Sequence, residues 1–244
     1  MLSRRRLILA DASAATAAAA EEFTRAAAGS MGPFRVALSG GETPKALFSL
    51  LAEAKGPYRA RVPWERIHFF WGDERCVPPD SPDSNYGAAR EGLLSRVPVP
   101  PRNVHRIQGE LPDSDAAAKL YEAELRAEFG PSPRFDWIFL GLGPDGHTAS
   151  LFPGTAAVSE RVRLVAPVWL EAKKSRRVTL TFPVLNAAKK VVFVVAGAGK
   201  SVAVSLALEG EASVTCPASL VAPTDGELLW ILDQAAASGL SSES

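Results

Sequence analysis

Short apolar, β-rich runs recur at Val36 to Leu38, Ile67 to Trp71, Trp137 to Leu140, Val191 to Ala196 and Leu228 to Leu232, mostly with helical stretches between them. That alternation predicts an α/β fold with a mainly parallel, Rossmann-like sheet flanked by helices. The helical stretches carry apolar stripes: Leu47, Leu50, Leu51 and Ala54 share one face, and Ala118, Tyr121, Leu125 and Phe129 share another. The first twenty residues read as a strand followed by an alanine-rich helix. Between Leu164 and Phe182 two extended runs flank the polar stretch Glu171 to Arg177, which predicts a hairpin added to the sheet as a small antiparallel extension. Pro-rich segments such as Val77 to Pro82 and Val97 to Arg102 are short and lie between elements, so one domain over residues 1–244 with a mixed edge is expected, its tail from about 238 frayed.

Composition narrows the class. With 244 residues and 47% hydrophobic content the chain can bury a sizeable core. Lys plus Arg number 27 against 27 Asp plus Glu, so no bulk field draws in nucleic acid or an anionic membrane, and any anion must be caught locally. No apolar run approaches the roughly 18 residues of a membrane span. The start is basic like a secretory leader, but Asp11 interrupts its apolar stretch after Ala10. Cys76 and Cys216 form no paired motif, which suits a reducing compartment. A cytoplasmic location is expected.

Four loops follow predicted strands, and the carboxyl ends of parallel strands are where ligands collect. In Ser39-Gly40-Gly41-Glu42-Thr43-Pro44, Thr43 as N-cap and Pro44 as first helical residue would leave free N–H groups beside two glycines, a cradle for phosphate. An ordinary tight turn would look the same. In Gly72-Asp73-Glu74-Arg75-Cys76, Arg75 is suited to a bidentate phosphate contact, or else to a salt bridge with its own acidic neighbours. Leu140 to Thr148 contains a literal G-x-G-x-x-G, yet Pro153 comes seven residues after Gly146 and leaves no room for the long helix of a dinucleotide site. What that loop offers is His147, with Asp145 two residues away to orient it as a general base. In Ala196-Gly197-Ala198-Gly199-Lys200-Ser201 the earlier glycine of a P-loop is missing, though Lys200 suits a phosphate as a point charge. His68 and His105 read as packing or surface residues. With three scattered histidines a zinc site would have to be built mainly from carboxylates, and no metal is expected.

The segments SGGETPKALFSLL, FFWGDERCVPPDSPDSNYGAARE, DWIFLGLGPDGHTASLFPGT and RVTLTFPVLNAAKKVVFVVAGAGKS, in this order, closely resemble the 6-phosphogluconolactonase family. The resemblance runs from about Ala12 to Asp233. Its most specific pieces are DER-x-VPP with the downstream Ser84-Asn85, and GPDGHTASLFPG. It implies a parallel α/β sheet shared with glucosamine-6-phosphate deaminases. It also implies hydrolysis of 6-phospho-D-glucono-1,5-lactone in the oxidative pentose phosphate pathway, with neither redox cofactor nor obligatory metal. Carried over position by position, it makes His147 the base with Asp145 beside it, and gives the phosphate to Ser39, Gly40, Gly41, Arg75, Arg177 and Lys200, with Asp73 orienting Arg75 or a sugar hydroxyl. Glu42 departs from the family's small polar residue; its side chain is expected to point away. An amino-sugar-phosphate deaminase/isomerase and a non-catalytic sugar-phosphate sensor are the alternatives. The first is disfavoured because Thr148 to Pro153 offers no carboxylate, the second because no output module is visible.

Overall fold

In the computed structural model, which describes residues 3–241, six strands form a wholly parallel sheet. These are β1 (Ser3–Leu9), β2 (Phe34–Leu38), β3 (Ile67–Trp71), β5 (Trp137–Leu140), β8 (Lys190–Val195) and β9 (Glu227–Asp233), in the spatial order β1-β9-β8-β5-β2-β3. The helices are α1 (Ala12–Gly29), α2 (Glu42–Ala52), α3 (Asn85–Gly92), α4 (Ser114–Phe129), α5 (Phe182–Leu185), α6 (Ser201–Glu209) and α7 (Gln234–Ala237). Central strands are apolar on both faces because both are covered: Val191 to Val195 are all buried. The alanines of α1 let it lie close to the sheet, where Phe23 meets Phe34, Trp137 and Phe139 at ring distances of 5.6 to 5.9 Å. At the sheet edge, the end of β3 has no further strand to pair with. The buried Tyr121 hydroxyl of α4 takes its place, accepting from Trp71 N and donating to Trp71 O.

The hairpin is real but belongs elsewhere. Strands β6 (Val165–Leu170) and β7 (Ser175–Leu180) pair with the short strand β4 (Asp73–Arg75) in a separate antiparallel sheet of order β4-β7-β6, so the main sheet has no mixed edge. Sequence reading took Asp73 to Arg75 as loop because three charged residues lack a strand's apolar alternation. They are in a strand because β7 supplies their partners, Asp73 opposite Thr179, Glu74 opposite Val178 and Arg75 opposite Arg177. The chain passes between sheets at Gly72, whose N–H donates to Leu38 O while its carbonyl accepts from Leu180 N.

Three local expectations are corrected. Helix α2 begins at Glu42 behind Gly41 at φ 113°, a conformation that favours glycine, so Thr43 is not the N-cap and Pro44 lies inside the first turn. Ala54 falls beyond α2 and is exposed, and the helix's buried face is Leu47, Phe48, Leu51 and Ala52. Residues 238–241 are tied down rather than frayed: Leu240 packs on the core and Ser241 donates to the Glu209 carboxylate. The remainder of the expected frayed tail, 242–244, lies outside the described residues. Among the described residues, no helix is long and apolar enough to cross a membrane.

Candidate active site

The strand order reverses direction between β2 and β5: from β2 the chain steps outward to β3, then returns to β5 on the other side. Loops leaving adjacent strands in opposite directions open a crevice at their carboxyl ends. A cavity of about 420 Å³ lies there. Its wall includes Ser39, Gly40, Gly41, Asp73, Arg75, His147, Arg177 and Lys200, so the structure brings together all the candidate residues except Asp145.

Period-two alternation in β4 sorts the Asp-Glu-Arg triplet. Asp73 and Arg75 face the cavity, whereas Glu74 points the other way and is buried. Neither carboxylate pairs with Arg75, so the internal salt-bridge reading of this triplet does not hold. Glu74 accepts from the backbone N–H groups of Arg75, Asn85 and Tyr86 and from the Ser84 hydroxyl, fastening the start of α3 to β4. Burial pushes its pKa up, and those backbone donors pull against it. Asp73 accepts from Ser150 Oγ at 2.6 Å and from Asn85 Nδ2 at 3.3 Å, so its carboxylate is held in one orientation at the cavity wall.

Three cations meet the cavity, and among the described residues none is ion-paired to a carboxylate. Arg75 donates to the Asp83 carbonyl, with its Nε buried and unpartnered, and Arg177 donates to Ser175 Oγ. Burial and the neighbouring charge of Arg75 pull the Arg177 pKa down, which means its charge is uncomfortable without an anion. Lys200 stands just ahead of α6, and the N-terminus of α2 opens on the same space, adding N–H groups and the positive end of a helix dipole. Glu42 belongs to the cavity wall, but its carboxylate is 89% exposed and binds Lys45 at 2.8 Å. That contact pairs its charge with Lys45 at the exposed rim of the cavity.

His147 lines the same cavity. Its Nδ1 lies 2.5 Å from Asp145 Oδ1, and its ring stacks on Phe152 with centroids 3.9 Å apart. Asp145 itself is outside the cavity wall, behind the imidazole. A carboxylate accepts only, so Nδ1 carries the proton and Nε2 keeps its lone pair. Burial lowers the His147 pKa from 6.5 more strongly than Asp145 raises it. The ring is therefore neutral and held in one orientation at neutral pH.

The glycines of this loop have a reason other than a pyrophosphate. A Cβ on Gly143 would lie 1.9 Å from His147 Nδ1 and 2.5 Å from Asp145 Oδ1, and Gly146 sits at φ 79° against Cys216. No long helix follows; the next helical turn is the 3₁₀ segment Ala156–Ser159. Cys76, which follows Arg75, has its thiol pKa pushed up by burial, which disfavours a nucleophilic thiolate.

Asn85, Ser150 and Phe152 were not assigned roles from the sequence. Each sits inside a segment that carried the family resemblance, but an Asn, a Ser or a Phe has no chemistry of its own to flag it. Their importance lies in what they hold. Asn85 also explains Gly40, where a Cβ would lie 1.8 Å from Asn85 Oδ1.

A family model described as glucosamine-6-phosphate isomerases/6-phosphogluconolactonase matches residues 10–230. A 6-phosphogluconolactonase from a Nostoc species is 43% identical over 215 residues, covering 86% of each chain. The rat 6-phosphogluconolactonase is 44% identical over 216 residues, covering 87% of this chain and 83% of its own. The solved 6-phosphogluconolactonase of Trypanosoma brucei superposes with a TM-score of 0.86 at 29% identity, covering 99% of this chain and 100% of its own. The chain belongs to the glucosamine-6-phosphate isomerase/6-phosphogluconolactonase family.

Proposed function

We propose that this protein hydrolyses 6-phospho-D-glucono-1,5-lactone to 6-phosphogluconate, with His147 as general base. The observation that carries the reading is a single cavity lined both by Arg75, Arg177 and Lys200, none of them ion-paired among the described residues, and by an imidazole whose Nδ1 is claimed by Asp145. The phosphate rests between the cations and the α2 N-terminus, which fixes the remote end of the sugar. His147 Nε2 takes a proton from the water that attacks C1. The tetrahedral oxyanion collapses with cleavage of the ring ester, and protonated His147 returns the proton to the departing ring oxygen. Asp145 stabilises the imidazolium between these steps. Proton transfer of this kind contributes about 10² to 10⁴ in rate. Asp73, held by Ser150 and Asn85, accepts a hydrogen bond from a sugar hydroxyl.

Sequence relatives named 6-phosphogluconolactonase support the lactonase over the aldose–ketose branch of the family. So does the cavity wall, whose carboxylates are Asp73, tied to two donors, and Glu42, bound to Lys45. A deaminase needs a further mobile acid/base near the histidine. Cysteines left free are consistent with a cytosolic setting. The test is hydrolysis of freshly generated lactone above its spontaneous rate, with D-gluconolactone and glucosamine 6-phosphate as comparators. The phosphorylated lactone should be strongly preferred and no ammonia released. Equal use of the unphosphorylated lactone, or ammonia release at a comparable rate, contradicts the reading.

A further inference from the structure

Two of the three histidines, scattered in sequence, meet at the edge of the sheet. His68 is the second residue of β3, the outermost strand. His105 follows a parallel bridge between Val104 and Phe69, and its N–H donates to Phe69 O at 2.8 Å. Backbone pairing thus sets the two rings side by side, with His68 Nδ1 3.2 Å from His105 Nε2. From the last turn of α4, Glu128 Oε2 comes within 3.7 Å of the same His68 nitrogen. The three donor atoms lie within 4.8 Å of one another, and none of these residues lines the catalytic cavity.

We propose that His68, His105 and Glu128 form a binding site for zinc or a zinc-like divalent ion that clasps β3 to α4. Two imidazoles and a carboxylate are a zinc-type donor set. A tetrahedral ion with bonds of about 2.0–2.1 Å holds its ligand atoms about 3.3 Å apart; two of the three separations here are 3.2 and 3.7 Å and the third is within 4.8 Å, so side-chain adjustment draws the donors onto one ion. Glu124, one turn before Glu128, lies 2.9 Å from His105 Nδ1. Because that carboxylate accepts only, Nδ1 is protonated and Nε2 presents its lone pair to the site, the outer support typical of metal-bound histidines. Without an ion, a proton on His68 Nδ1 bridges the two rings; with one, His68 keeps that proton on Nε2 instead and none need be lost. Arg35 and Arg102 oppose a cation here. Their two positive charges are matched by Glu124 and Glu128, so the donor set rather than the local field sets the affinity.

The test is titration of chelator-treated full-length protein with Co²⁺ and Zn²⁺, following the visible absorption of tetrahedral cobalt and the unfolding midpoint. Wild type and His147→Gln should each bind one equivalent at this site, and saturating zinc should raise the midpoint by about 5 °C or more. His68→Gln should abolish the cobalt spectrum. Glu124→Gln and Glu128→Gln, changed near the surface where folding is preserved, should weaken binding by about tenfold or more. No binding by wild type at millimolar metal overturns the proposal. So does binding that survives Glu128→Gln and His68→Gln but is lost in His147→Gln, which assigns the ion to the catalytic cavity.

Discussion

Arg75 and Arg177 stand directly opposite each other across the β4–β7 pair, two positive charges in register at the cavity wall. Like charges at opposed positions cost a few tenths to about 1 kcal/mol in a sheet. An anion between them converts that cost into binding. Arg177→Met should therefore raise KM for the phosphorylated lactone by about tenfold or more, with a smaller effect on kcat and no loss of stability. Arg75→Ala and Lys200→Ala should raise KM likewise. A marked fall in the unfolding midpoint of Arg177→Met would show that the pair is structural rather than an anion site.

The first two glycines of the G-x-G-x-x-G string differ in what surrounds them. Gly141 has nothing within 4 Å of an added Cβ, whereas at Gly143 that atom meets His147 and Asp145. Gly143→Ala should lower kcat by about 10² or more by displacing the base, and Gly141→Ala should be near wild type. Equal effects of the two substitutions in parallel kinetics would contradict this placement of the imidazole.

The pH profile follows from the His147 environment. The base must be neutral, and burial sets its pKa below 6.5. Activity should persist as pH falls to 6.5 and drop only on the acid side of it. Asp145→Asn removes the carboxylate that raises the pKa, so the acid limb should move to lower pH while the plateau rate falls by about tenfold or more as the ring loses its orientation. An acid limb lying above 6.5, or one that moves upward in Asp145→Asn, would reverse the assignment.

Glu74 is predicted to be structural. Its two oxygens receive two backbone N–H donors on Oε1, and a backbone N–H with the Ser84 hydroxyl on Oε2. In Glu74→Gln an amide NH₂ must face two of those donors, so stability should fall by about 2 to 3 kcal/mol in denaturant unfolding. An unchanged midpoint would mean the carboxyl is already protonated and the network weaker than its geometry suggests.

What was legible in the sequence tracks where the physics is local. Five of the strands of the parallel sheet, the edge strand β3 among them, were visible as apolar β-rich stretches because their side chains are largely buried, and the four site loops followed from them. Asp73 to Arg75 were not legible as a strand, since their pairing depends on Arg177 to Thr179, about a hundred residues later. Arg75 and Lys200 were readable as cations in glycine-containing loops after strands, whereas Arg177, in a stretch without glycine, entered only through the family resemblance. By contrast, the roles of Asn85 and Ser150 exist only through the carboxylate they hold. His68 and His105 were read as packing or surface residues, and their contact with each other was not legible because it runs through a bridge from Phe69 to Val104 that no periodicity announces.

The most direct test of the account is the turnover of freshly generated 6-phosphogluconolactone by His147→Gln, measured beside the stabilisation of the same variant by inorganic phosphate. If His147 supplies proton transfer and the cations supply binding, kcat falls by about 10² or more while the phosphate-induced rise in unfolding midpoint matches that of wild type. Turnover within a few-fold of wild type would contradict the general-base role.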